Sequence, residues 1–137
     1  MNPPNRKRLP SSPEEWLLHA RSDLHIVRLG LKETGILPHQ LCFHAQQTAE
    51  KAIKAVLIQC KLNFPLTHDI QRLLRILESA GIIVPLEIQD ADLLSPYAVE
   101  TRYPGYWGDI SREDVQEAIH LAETVLKWTE RIISGSE

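Results

Sequence analysis

The chain has 137 residues, 43% hydrophobic and 24% charged, enough for one ordinary domain that buries about two-thirds of its unfolded surface. Its formal net charge of −3 lacks the basic excess of a general duplex-DNA binder, so any nucleic-acid contact must be local. No apolar run is long enough to span a membrane, and two cysteines behind a polar N-terminus predict a cytoplasmic protein with Cys42 and Cys60 as buried thiols.

The first dozen residues read as a flexible leader (1–12), followed by one helical domain over 13–134. Arg6, Lys7 and Arg8 in the leader fit either a solvated tail or a short RNA contact. Ser12, Pro13 and Glu15 then announce a helix: the serine caps it, proline suits its first position, and the glutamate completes a capping box. Leu17, Ala20, Leu24, Val27 and Leu31 form its apolar stripe, which ends near Gly30 to Gly35. A second helix is expected from Pro38 to about Lys61, with Cys42, Ala45, Ala49, Ala52 and Val56 at three-four spacing. Small side chains on that seam let helix axes approach closely, which makes this the central helix.

Thr67, His68 and Asp69 open a short third helix carrying Ile70, Leu73, Leu74 and Leu77 and ending at Gly81. Residues 82–85 read as loop. A fourth helical segment is expected from Leu86 or Gln89 to Arg102. Ser111 and Asp114 offer a second capping box for a last helix, with Val115, Ala118, Ile119, Ala122, Val125, Leu126 and Ile133 on its buried face. The predicted fold class is all-α, a bundle of five helical segments.

The candidate chemistry concentrates where Arg102 stands between Tyr97 and Tyr103. Pro104 disfavours the helical region for Tyr103, so Arg102 falls in a last helical turn with a guanidinium fork suited to phosphate or carboxylate. The tyrosine rings can stack on a base; equally, they fit the core while Arg102 bonds the last helix carbonyls. His44, Gln47, Lys51 and Lys54 form a polar stripe on the second helix, either a groove for a phosphate-bearing ligand or a solvated side. In the second case Glu50 and Lys51 make structural ion pairs with Arg102 or Asp69. His68 and Asp69 pose the same choice between a base with its orienting acid and a simple helix cap. Trp107 fits a lid over a base or a loop anchor, and Trp16 and Trp128 fit core or dimer packing. No metal-ligand spacing and no glycine-rich phosphate loop is present in the sequence, so neither metal nor cofactor is expected.

The run from Cys42 to Ala55 (Cys-Phe-His-Ala-Gln-Gln-Thr-Ala-Glu-Lys-Ala-Ile-Lys-Ala), then Thr67-His68-Asp69, then Arg102-Tyr103-Pro104, resembles the HEPN domain family from about Trp16 to Ile133. The resemblance implies a small up-and-down four-helix bundle with an additional fifth helical segment, usually dimeric, paired with a minimal nucleotidyltransferase in a toxin–antitoxin or two-component system and binding nucleotide or RNA. Arg102, Tyr97, Tyr103, Lys51, His44, His68 and Asp69 are its candidate ligand-binding residues here. The alternative is a metal-independent endoribonuclease toxin with Arg102 as the phosphate-stabilising residue. Nuclease members carry an arginine, four to six residues, then a histidine, and this sequence lacks that spacing: His120 lies far beyond Arg102, and Arg21 to His25 is one residue short.

Overall fold

The computed structural model describes residues 12–100 and 109–135. Four principal helices, α1 (Pro13–Gly30), α2 (Pro38–Gln59), α3 (Ile70–Ser79) and α6 (Arg112–Ser134), make the predicted all-α bundle, with the short α4 (Leu86–Gln89) and α5 (Tyr97–Glu100) between α3 and α6. No strand occurs among the described residues. Ser12 and Ser111 cap as their sequences predict: Ser12 Oγ accepts from the Glu15 backbone N–H at 3.1 Å, and Ser111 and Asp114 form a reciprocal box.

The central position of α2 follows from its seam. Cys42, Ala45, Ala49, Ala52 and Val56 are wholly buried, and small residues let α1 and α6 pack on α2 far more extensively than on each other. The α2 C-terminus closes without glycine: Lys61 takes the left-handed φ of 57°, and Leu62 N–H reaches back to the Leu57 carbonyl at 2.9 Å. Gly81 does the same for α3, at φ 92°.

Four expectations change. Leu31 does not extend the α1 stripe; it is the C-cap and 38% exposed, one residue past the last turn. Ile133 is only half-buried. Cys60 is only partly buried, packed against the edge of the core, because α2 ends just before it. The single fourth segment is broken into α4, a 3-10 helix over Asp90–Leu94, and α5. Pro96 has no N–H to continue a ladder, and Asp92 and Ser95 instead serve α3. Asp92 Oδ1 accepts from Gln71 N–H at 3.2 Å, and Ser95 Oγ accepts from Ile70 N–H at 3.0 Å. Arg102, Tyr103, Pro104 and Trp107 lie outside the described residues.

Candidate functional site

The polar stripe on α2 is anchored by two carboxylates buried in the bundle, Asp23 and Glu50. Asp23, on α1, is 7% exposed and takes two of the four stripe residues, His44 and Lys51. His44 Nδ1 lies 2.9 Å from its Oδ1, and Lys51 donates to its Oδ2 at 2.7 Å. Residues 44 and 51 stand two helical turns apart, so one acid on the neighbouring helix can reach both. This departs from the ion pairing considered for Lys51, whose partner is Asp23 and not Asp69.

Glu50, 3% exposed, is the centre of a second cluster. Its Oε2 accepts from Lys54 at 2.8 Å, while Oε1 receives Gln46 Nε2 at 2.7 Å and faces His68 Nδ1 at 2.8 Å. Gln47 in turn donates to Gln46 Oε1 at 2.6 Å, which fixes the orientation of that wholly buried amide. Lys54 is buried, not solvated as a polar-stripe reading predicts. Its ammonium lies 5.6 Å from the Trp16 ring centroid and 5.8 Å from that of Phe64. Burial alone raises the Glu50 pKa, but the Lys54 hydrogen bond and charge, with the bonds from His68 and Gln46, outweigh it and hold the carboxyl below its ordinary value of 4.5. Glu50 is therefore ionised at neutral pH.

The two clusters share a plan in which each buried carboxylate holds one lysine and one histidine. The lysine compensates the charge. The histidine is oriented through its Nδ1 contact with the carboxylate while part of the side chain stays accessible, 31% exposed for His44 and 50% for His68. His68 is thus oriented by Glu50 and not by Asp69. Asp69 caps α3, accepting from Arg72 N–H at 3.2 Å, and its own N–H bonds Thr67 Oγ1 at 3.1 Å. The first three N–H groups of α3 are all engaged by Ser95, Asp92 and Asp69.

Tyr97, at the start of α5, shares a hydrogen bond with Cys42 on α2. Burial pushes the Cys42 thiol up to about 11 and the Tyr97 hydroxyl up to about 12, so both stay neutral. Tyr97 is therefore turned toward the α2 seam at its hydroxyl. Arg21, considered with His25, instead makes an exposed 2.7 Å ion pair with Glu130 on α6, and Arg28 pairs likewise with Glu123 at 2.6 Å. Among the described residues no group of three or more histidine, cysteine or acidic side chains is placed to hold a metal ion.

Sequence reasoning missed Asp23 and the centrality of Glu50, though a signal was present for both. Asp23 falls inside the α1 apolar stripe, three residues after Ala20 and four before Val27, and Gln46 and Glu50 precede Ile53 and Leu57 at three-four spacing. A charged residue at a core position of a helix is a pointer to a partnered group.

A lysine-compensated, histidine-bearing helix at the centre of an all-α bundle is the setting in which the family can be stated. The HEPN domain model matches residues 13–132, and the chain belongs to the HEPN domain family. Among solved structures it is similar to ST0689, an archaeal HEPN homologue, with a TM-score of 0.73 and 27% identity over 90% of this chain and 99% of that one. It is similar also to TT1696 from Thermus thermophilus, with a TM-score of 0.70 and 28% identity over 89% of this chain and 98% of that one. No curated protein matches the chain.

Proposed function

We propose that this HEPN chain is a nucleotide- or RNA-binding and protein-interaction module, and that it is the partner of a minimal nucleotidyltransferase in a toxin–antitoxin-like system. The observation that carries the binding half is the pair of carboxylate-held histidines, His44 on Asp23 and His68 on Glu50, beside Lys51. Two buried acids with lysine partners are a costly way to hold two surface rings, whereas a packed apolar contact would anchor the same elements more cheaply. The accessible imidazoles are suited to ribose hydroxyls and the Lys51 ammonium to phosphate oxygens. In this reading Arg102 clamps a phosphate, and Tyr97 and Tyr103 contribute ring surface. The partnership and a homodimeric state follow from the family resemblance, and the exposed Leu18, Ile26 and Leu29 along α1 are compatible with an interface.

The test is fluorescence anisotropy with an end-labelled single-stranded RNA, and competition by ATP, on the parent, His68→Ala and Arg102→Ala proteins. Arg102→Ala is expected to bind at least about tenfold more weakly and His68→Ala at least about fivefold, each with its helical circular dichroism intact. Unchanged affinity in both contradicts the site. Co-elution with a minimal nucleotidyltransferase from the same genome supports the partnership, and separate elution contradicts it.

One observation favours a second reading, the metal-independent endoribonuclease. An ionised, buried Glu50 beside a half-exposed His68 has the arrangement of an orienting acid and a general base, with Arg102 stabilising the phosphorane. It predicts RNA fragments in the presence of chelator, formed by the parent and not by His68→Ala; intact RNA contradicts it.

A further inference from the structure

The support under His68 is deeper than an anchor requires. Glu50 Oε1 accepts from Gln46, whose own amide is fixed by Gln47, and Glu50 Oε2 accepts from Lys54, leaving Oε1 one remaining direction for the imidazole. An ionised carboxylate has no proton to donate, so the short 2.8 Å contact requires that Nδ1 carry the hydrogen. In the neutral ring Nε2 is then unprotonated, and it is the ring nitrogen that Glu50 leaves unengaged on a side chain 50% exposed.

We propose that Glu50 is a positioning residue that locks His68 in the Nδ1–H tautomer, so that His68 Nε2 accepts a hydrogen bond from a ribose 2′-hydroxyl and selects ribonucleic over deoxyribonucleic ligands. The proposal rests on the nucleic-acid-binding reading above and names the feature of the ligand that this residue reads. The chemistry is one-sided. A phosphate oxygen has no proton to give a neutral Nε2 at neutral pH, whereas the 2′-hydroxyl does, and that hydroxyl is what distinguishes RNA from DNA at a given site. Lys51 on Asp23 supplies the complementary cation for the backbone, which carries no such preference. The tautomer lock explains why Gln46 and Gln47 are tied together: a free Gln46 amide that flipped would present its oxygen to Glu50 and disturb the acceptor that holds the ring.

The test compares an end-labelled single-stranded RNA with the DNA of the same sequence, by anisotropy at mildly alkaline pH, on the parent, His68→Ala and the double variant Glu50→Gln/Lys54→Met. The double variant removes the acid and its lysine together and so avoids leaving either charge buried alone. Long-range nitrogen–proton correlation spectra of the imidazoles report the tautomer directly in the same samples. The parent is expected to show His68 with its proton on Nδ1 and to prefer RNA by roughly five- to tenfold, the worth of one hydrogen bond. In His68→Ala the RNA-to-DNA ratio should fall to near one. In the double variant it should fall in step with a shift of His68 to mixed tautomers, since a glutamine can accept from or donate to Nδ1. Equal binding of RNA and DNA by the parent, a ratio that survives His68→Ala, or a proton on Nε2 in the parent overturns the inference while leaving nucleic-acid binding intact. Binding of neither polymer overturns the functional reading itself.

Discussion

Lys54→Met is the substitution whose consequence the structure determines most fully. The Lys54 side chain is 8% and the Glu50 side chain 4% exposed, with 2.8 Å between ammonium and carboxylate. Methionine keeps most of the apolar stem of this buried residue, so repacking alone costs less than about 1.5 kcal/mol. Removing one member of a buried pair costs about 3–5 kcal/mol because the other charge is left behind. Glu50 keeps its bonds from Gln46 and His68, which places the expected loss at the lower end, about 3 kcal/mol. Against a domain stability of about 5–15 kcal/mol this is a lowering of the melting temperature by roughly 10 °C. The double variant Glu50→Gln/Lys54→Met removes both charges and is expected within about 1 kcal/mol of the parent, so a double-mutant cycle should show strong coupling. Urea denaturation followed by circular dichroism gives both values. A single variant within about 1 kcal/mol of the parent would refute the reasoning that Glu50 is a buried charge dependent on Lys54.

Three further outcomes follow from the same geometry. Because the folded-state pKa of Glu50 lies below 4.5, its contribution to stability is fully present above that value and is lost as pH falls through the folded pKa; urea midpoints of the parent should drop more steeply under acid than those of the Glu50→Gln/Lys54→Met variant, and parallel curves would contradict this. With the Cys42 thiol pushed up to about 11 inside the bundle, iodoacetamide at mildly alkaline pH should label Cys60 well before Cys42, as peptide mass spectrometry can show; equal labelling would oppose the placement of Cys42. Arg28→Ala removes an ion pair whose side chains are 54% and 33% exposed, so it should change stability by only about 0–1 kcal/mol, and a larger loss in the same denaturation assay would mean that the α1–α6 rim is more tightly coupled than its exposure implies.

The helices were legible because their signals are local. Ser12 and Ser111 mark starts that the backbone uses, and the alanine seam of α2 reports close packing without any need to know its partners. The fourth segment was not legible as broken, because the use of Asp92 and Ser95 depends on where the α3 N-terminus lies in space, more than twenty residues earlier in the chain. The candidate residues His44, Lys51 and His68 could be named from their spacing and from a family resemblance, but their partners could not. Asp23 reaches α2 from another helix, and His68 folds back over eighteen positions to Glu50. Spacing along one helix reports which side chains share a face, whereas the charge that holds them comes from a neighbouring element. Tyr97 illustrates the same limit: its sequence neighbour Arg102 drew attention to it, yet its hydroxyl bond is to Cys42 on α2.

The most direct test of the central claim is a nitrogen–proton correlation titration of the uniformly labelled protein with a short single-stranded RNA at low ionic strength. The account predicts saturable shifts that cluster on His44, Gln47, Lys51 and His68, with the α1–α6 rim around Arg28 and Glu123 unmoved. An unchanged spectrum, or shifts confined to the rim and absent from the α2 stripe, would contradict it.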